Sequence, residues 1–110
     1  VLAEGVFDII VPYYSGFYKK ILDIEPNYFF CIFGKSNYNM SIEKICKKLK
    51  SCVINCYILS DKDVITNIYE EIYRSNPYIN KMSIYYNKAG KDFGDISFLG
   101  IENIIKLNIN

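Results

Sequence analysis

Apolar residues fall into runs along the chain, and the first long run predicts a buried strand. Residues 6–11 form a β-rich apolar segment that only one polar residue, an aspartate, interrupts. Such a segment is typical of a strand buried on both faces of a parallel sheet. Pro12 is expected to end this strand, residues 13–21 to form two helical turns, and residues 22–24 to form a second short strand. The stretch is therefore predicted to be a compact βαβ unit.

Alternating strand and helix patterns continue beyond this unit. Residues 28–33 form an aromatic, apolar run whose periodicity fits a helix and a strand equally well. Apolar residues recur at helical spacing over residues 42–50, with lysines on the other side, and predict an amphipathic helix. The remaining predicted elements are strands over residues 52–59, 81–86 and 104–109 and a helix over residues 64–74. Strands that alternate with helices at this spacing predict an α/β sheet.

Length, charge and hydropathy exclude several classes of protein. The 110 residues suffice for one domain, and 51% hydrophobic residues provide ample material for a core. A formal charge of +1 predicts no general attraction to nucleic acid or to an anionic membrane. No apolar run approaches the roughly 20 residues that cross a bilayer, and the N-terminus lacks the layout of a signal peptide. We therefore expect a cytoplasmic protein without nucleic-acid or membrane partners.

The cysteines and the lack of histidine restrict the chemistry that the chain can perform. The four cysteines are Cys31, Cys46, Cys52 and Cys56. They include no C-x-x-C pair, and no histidine is present to complete a zinc site. Buried, reduced thiols are the favoured interpretation, and a disulfide or a metal site is the alternative. The absence of histidine also excludes Ser-His and Cys-His nucleophile pairs, so no metal site and no catalytic residue is predicted.

Several stretches, taken in their order along the chain, are similar to the motifs of one enzyme family. GVFDIIVPYYSGFY at residues 5–18 is similar to that family's first strand and glycine loop. Residues 24–27, IEPN, are similar to the family's segment after the second strand. Residues 54–63, INCYILSDKD, are similar to a later strand and turn of the family. ISFLGIENIIKLNIN at residues 96–110 is similar to the family's last matching run. In this order, the stretches resemble the FkbM family of S-adenosylmethionine-dependent methyltransferases, and the order carries the resemblance.

This resemblance implies a Rossmann-like class I methyltransferase sheet, with S-adenosylmethionine bound over the carboxyl ends of the first strands. Asp8 would be the acidic residue of the first motif, and Gly16 the glycine of its loop. Glu25 would accept hydrogen bonds from the ribose hydroxyls, the role that an acid after a second strand is placed to fill. Asp61 would lie near the adenine edge. The implied function is O-methylation of a small-molecule or saccharide acceptor.

Each predicted cofactor-binding carboxylate also has a purely structural interpretation. Asp8 and Asp61 are of a residue type that hydrogen-bonds to local turns, and Glu25 is of a type that is mostly solvated. Residues 1–110 are expected to form a single methyltransferase-like α/β domain with an incomplete sheet. Because the chain starts without Met and stops directly after a strand-like run, we expect a fragment of a longer domain.

A second interpretation is a non-catalytic interaction module that resembles a leucine-rich repeat. The pattern Ile79-x-x-Met82-x-Ile84 recurs 25 residues later as Ile104-x-x-Leu107-x-Ile109, within the period range of such repeats. Stable solenoids need at least three repeats with caps, so this interpretation is the weaker one. A structural α/β domain that binds no ligand is a third possibility.

Overall fold

The computed structural model describes residues 1–31, 44–45, 47–49, 54–60, 66–87, 93–95 and 104–109. Within these residues, the strands are β1 (Leu2–Ala3), β2 (Phe30–Cys31), β3 (Ile54–Ser60), β4 (Ile79–Asn87) and β5 (Ile104–Ile109). They form one sheet in the order β2-β1-β3-β4-β5. The first four strands of that order run parallel, and β5 pairs antiparallel with β4. The predicted α/β architecture is confirmed as a mixed, mostly parallel sheet, which is compatible with a Rossmann-like fold.

The described helices are α1 (Phe7–Ser15), α2 (Phe17–Lys20) and α3 (Thr66–Ser75), with a 3₁₀ turn at Phe93–Asp95. Residues 44–45 and 47–48 are also helical, and the Leu49 N–H donates to the Ile45 carbonyl at 3.0 Å. The helices predicted over residues 42–50 and 64–74 are therefore confirmed where the structure describes them. The strands predicted over residues 52–59, 81–86 and 104–109 correspond to β3, β4 and β5. None of the described helices is long and apolar enough to cross a membrane.

The first apolar run forms helix α1, so the strand predicted over residues 6–11 is wrong. Asp8, Ile9, Pro12 and Ser15 are the buried positions of α1, and they recur at the spacing of one helical face. Pro12 lies inside the helix instead of ending a strand. The helix ends at Gly16, whose left-handed φ of 74° is the conformation that a glycine cap adopts without strain. The strand that precedes the helix is β1, which the sequence pattern did not predict.

The second strand also lies elsewhere than predicted. Residues 22–24 form no strand, because the Ile24 N–H donates to the Tyr18 carbonyl at 2.9 Å instead of joining a ladder. Asp23 has a left-handed φ of 53°, which breaks an extended conformation. The second strand along the chain is β2, which pairs with β1 and lies inside the run at residues 28–33 that fits a helix and a strand equally well.

Two apolar clusters lie on opposite faces of the sheet. Ile58 and Leu59 are consecutive in β3 and therefore point to different faces. The Ile58 face packs against α3 and includes the buried residues Leu2, Cys56, Tyr69, Ile72, Ile79, Met82, Ile84 and Ile109. The Leu59 face packs against α1, α2 and the 3₁₀ turn and includes Val1, Ala3, Ile9, Phe17, Tyr18, Tyr85 and Phe93. The sheet is thus the middle layer of three.

The pairing of β4 with β5 does not fit the leucine-rich-repeat interpretation. The two repeat-like segments are neighbours in the sheet, with Met82 opposite Ile109 and Ile84 opposite Leu107, but they run antiparallel. Stacked repeats are related by nearly the same small displacement from one to the next, so their strands run in the same direction. The similar patterns therefore reflect two strands that contribute to one core, and the repeat interpretation is wrong for these segments.

Candidate ligand-binding crevice

The strand order identifies one place where a ligand crevice is expected. From β1 the chain moves to β2 on one side, and then to β3 on the other side of β1. In open α/β sheets, ligands bind outside the carboxyl ends of the strands where the order reverses in this way. Ala3 ends β1 and pairs with Leu59, one residue before β3 ends at Ser60. We call the region beyond these two strand ends the switch-point crevice; it includes Glu4, Gly5 and Asp8.

Asp8 lies at the switch-point crevice and is engaged in structural hydrogen bonds. Its side chain is buried in the first turn of α1. One carboxylate oxygen accepts from the Gly5 N–H at 3.3 Å, and the other accepts from the Gly94 N–H at 2.9 Å. Asp8 therefore ties the turn after β1 to the 3₁₀ turn. This matches the structural interpretation of Asp8, a carboxylate that organises a turn.

Glu4 is the site residue that the sequence pattern missed. It directly follows β1, and its Oε2 is buried with no hydrogen-bond partner among the described residues. A buried acceptor without a donor costs free energy, and a bound N–H or O–H group would remove that cost. In the sequence, the one indication of this site is that an acid and a glycine follow three apolar residues at positions 1–5. A strand of two residues is too short to show the alternation that identifies a strand.

Gly5 allows the tight turn that brings Glu4 and Asp8 together. A Cβ at this position would come within 3.2 Å of the Asp8 Oδ2, closer than ordinary side-chain contacts. Since that oxygen is also the acceptor for the Gly5 N–H, a side chain here would push against the bond that closes the turn. Gly5 is therefore a close-approach glycine between strand and helix. The family resemblance had implied Gly16 as the glycine of the cofactor-binding loop.

Gly16 and Glu25 lie together, away from the switch-point crevice. Both line a shallow depression of about 270 Å³, beside Tyr13, Tyr18 and Phe29. The Glu25 side chain is 84% exposed, and its Oε1 lies 3.5 Å from the Lys19 Nζ. Because residues 22–24 form no strand, Glu25 precedes β2 instead of following a second strand. The predicted placement of Glu25 at a strand's carboxyl end is therefore wrong. Asp61 lies outside the described residues.

Of the two described cysteines, Cys31 is a free thiol. Cys56 is buried in β3, and Cys31 ends β2. Burial raises the pKa of the Cys31 thiol, and the negative charge of Asp8 raises it further. A thiol with a raised pKa is a poor nucleophile, because the thiolate is the reactive form. The predicted burial is confirmed for Cys56, whereas Cys31 is a free thiol that is only partly buried. Cys46 and Cys52 lie outside the described residues.

Comparisons with protein-family models, with curated proteins and with solved structures give no match to this chain. The resemblance to the FkbM family therefore depends on the residues quoted for it above. Within the part of the chain that the structure describes, no group of three or more Cys, Asp or Glu residues is arranged to hold a metal ion.

Proposed function

We propose that this chain is a methyltransferase domain of the FkbM type, which uses S-adenosylmethionine to O-methylate a small molecule or a saccharide. The mostly parallel sheet supports this proposal, because a class I methyltransferase has a Rossmann-like sheet of this kind. The observation that carries the proposal is the Oε2 of Glu4 at the carboxyl end of β1, which is buried and accepts no hydrogen bond from the part of the chain that the structure describes. It lies where open α/β sheets bind their ligands.

The residues at the switch-point crevice fit the chemistry of this cofactor. S-adenosylmethionine presents hydroxyl and amino groups, which could donate to the Glu4 Oε2, an atom without a donor among the described residues. When bound, it supplies an activated methyl group, and the protein's task is mainly to hold the acceptor in line with it. Asp8 would act as a positioning residue, since its two hydrogen bonds hold the turn that carries Glu4 and Gly5.

The proposal moves the main acidic role from Glu25 to Glu4. Gly16 becomes a helix cap, as its left-handed backbone and its place between α1 and α2 support. Asp61 directly follows Ser60 in the sequence, and its contact with adenine stays a prediction. We also propose a cytoplasmic location; the thiol of Cys31 is compatible with it, because thiols stay reduced in that compartment.

The test is calorimetric titration of S-adenosylhomocysteine into the 110-residue chain. The informative variant is Glu4→Gln, which keeps the size of the side chain and removes its charge. Glu25→Gln is the matched control at a site away from the crevice. We expect binding to the unmodified chain, a loss of about tenfold in affinity for Glu4→Gln, and no change for Glu25→Gln.

Two outcomes would count against the proposal. The cofactor assignment is overturned if the chain is folded, as shown by cooperative thermal unfolding, and the titration with S-adenosylhomocysteine still releases no heat of binding. A loss of affinity in Glu25→Gln with none in Glu4→Gln would return the site to the depression beside Gly16.

A further inference from the structure

The depression beside Gly16 is formed by one continuous stretch of the chain. All of its lining residues fall within residues 13–29, which the structure describes without a gap. Its volume is about 270 Å³. We call it the aromatic depression, because Tyr13, Tyr18 and Phe29 contribute rings to its lining. The residues of the switch-point crevice do not line it, so the two sites are separate.

The ring of Tyr13 is the exposed wall of the aromatic depression, and neighbouring rings hold it in place. Its centroid lies 5.8 Å from that of Phe29, with the planes at 84°, and 5.3 Å from that of Tyr14, with the planes at 88°. Edge-to-face contacts of this kind are favourable between aromatic rings. Tyr13 is nevertheless 56% exposed. A ring that is fixed before a ligand arrives loses little conformational freedom on binding.

The deeper part of the lining is apolar. Tyr18 is buried, and its ring packs against Phe29 at a centroid distance of 5.4 Å. The Tyr18 hydroxyl donates to the Ile9 carbonyl at 3.1 Å, so this polar group already has a partner. Ile24 and Pro26 are half-buried and add aliphatic surface. A ligand that covers these groups would therefore release water from apolar surface, which favours binding.

The rim of the aromatic depression carries an ion pair. The Lys19 Nζ lies 3.5 Å from the Glu25 Oε1 and 3.9 Å from the Asp23 Oδ1. Because these opposite charges lie together, they attract an ionic ligand only weakly. The ammonium group has three N–H donors and a carboxylate has several lone pairs, so both keep capacity for further hydrogen bonds. The rim is therefore suited to a neutral ligand whose polar groups both donate and accept.

A pyranose ring matches both parts of this lining. In a β-glucoside the ring hydroxyls are equatorial and the ring C–H groups are axial, so each face of the sugar is apolar and its perimeter is polar. Axial C–H groups pack on aromatic rings with a weak attraction, and hydroxyls both donate and accept hydrogen bonds. A cavity of about 150 Å³ holds one benzene molecule. The aromatic depression, at about 270 Å³, therefore has room for one pyranose ring.

We propose that the aromatic depression binds a neutral saccharide. One pyranose ring stacks on Tyr13, and its hydroxyls exchange hydrogen bonds with Lys19 and Glu25. Because the site is separate from the switch-point crevice, it is a docking site for carbohydrate and does not depend on the cofactor assignment.

The experiment is an NMR titration of the ¹⁵N-labelled 110-residue chain with methyl β-cellobioside. We expect saturable shifts of the backbone amides of Gly16, Lys19 and Phe29, and none at Gly5 and Gly94 beside the switch-point crevice. The dissociation constant should lie in the millimolar range and stay the same between about 50 and 500 mM salt, because salt does not screen contacts with a neutral ligand. Mannitol, a polyol without a ring, should give no saturable shifts.

Paired tyrosine variants test the location. Tyr13→Ala should weaken binding about fivefold, the size of an aromatic contact, whereas Tyr13→Phe keeps the ring and should bind as the unmodified chain does. Tyr28→Ala is the matched control, because Tyr28 is also 56% exposed but does not line the aromatic depression. Substitutions at exposed positions seldom prevent folding. Glu25→Ala removes a hydrogen-bond acceptor and should weaken binding about threefold.

The proposal is overturned if methyl β-cellobioside gives no saturable shifts, or if mannitol gives the same shifts. Undiminished binding in Tyr13→Ala, or an equal loss in Tyr28→Ala, would overturn it as well. A dissociation constant that rises steeply with salt would show ionic recognition and contradict the neutral ligand. A failed S-adenosylhomocysteine titration is a distinct result, because that ligand is assigned to Glu4, outside the aromatic depression.

Discussion

The Asp8 carboxylate accepts a hydrogen bond from the Gly94 N–H at 2.9 Å, across 86 positions of sequence. The same carboxylate accepts from the Gly5 N–H at 3.3 Å through its other oxygen. One buried side chain therefore joins the turn after β1, the first turn of α1 and the 3₁₀ turn that precedes β5. Because Glu4 lies in the first of these turns, the geometry of the proposed cofactor site depends on Asp8.

Asp8→Asn is expected to lower the free energy of unfolding by about 1–3 kcal/mol. An amide has one acceptor oxygen where the carboxylate has two, so only one of the Gly5 and Gly94 N–H groups keeps its partner. Urea denaturation measures the change. Asp23→Asn is the matched control, because its side chain is 89% exposed, its nearest ionic partner is Lys19 at 3.9 Å, and asparagine tolerates its left-handed backbone. Equal losses in the two variants would contradict the role of Asp8.

The stability of the fold is expected to fall in alkaline solution because of Tyr18. Burial raises the pKa of Tyr18 far above its ordinary value of 10.0, and the negative charges of Cys31 and Asp8 raise it further. Above about pH 10, the unfolded chain loses the phenol proton while the folded chain keeps it. The folded state then binds more protons, so stability that is complete below pH 10 declines as the pH rises, by up to about 1.4 kcal/mol per pH unit.

Tyr18→Phe should reduce this alkaline slope, although it also removes the hydrogen bond from the Tyr18 hydroxyl to the Ile9 carbonyl. Burial also raises the pKa of Tyr85, so part of the slope should remain. Urea denaturation at several pH values from about 8 to 11 measures it. Tyr14→Phe serves as the control, because it removes the same titratable phenol hydroxyl from a side chain that is 82% exposed. An unchanged slope in Tyr18→Phe would show that other groups cause the effect.

Ile84→Ala is expected to lower the free energy of unfolding by about 2–5 kcal/mol. Ile84 is fully buried in β4, where it packs in the cluster that lies under α3. The control is Leu107→Ala, because Leu107 lies opposite Ile84 in β5, has a side chain of the same size and is 38% exposed. It should lower the free energy of unfolding by less than about 1 kcal/mol. Thermal and urea denaturation of the pair measure the difference. Similar losses would mean that β5 is buried more deeply than the structure shows.

Strong periodicity in the sequence was sufficient to predict the elements in the second half of the chain. In α3, Tyr69 and Ile72 lie on the buried side, while Glu71 is exposed. In β4 and β5, β-rich residues are bounded by turn-forming ones, so their extents were predicted to within two residues at each end. Each of these segments has a buried side that local spacing reveals, because the core lies on one side of the element.

The first 31 residues were predicted poorly for a physical reason. An apolar run is equally suited to a buried strand and to a helix between apolar neighbours, and residues 6–11 form the helix because β1 already occupies the sheet. Strands β1 and β2 have two residues each, too few to show alternation. Their position depends on partners that are 28 or more residues away in the chain, such as Phe30 for Leu2.

The sequence by itself therefore determined the α/β class and the elements whose buried side repeats at short spacing. Only the tertiary structure decided which acids lie at strand ends. Asp8 and Glu25 are both acids close to apolar runs, and yet one is buried between two backbone N–H groups while the other is exposed beside Lys19. Strand pairing joins segments that are distant in the sequence. The local spacing of residues therefore does not show at which end of the strands a given side chain lies.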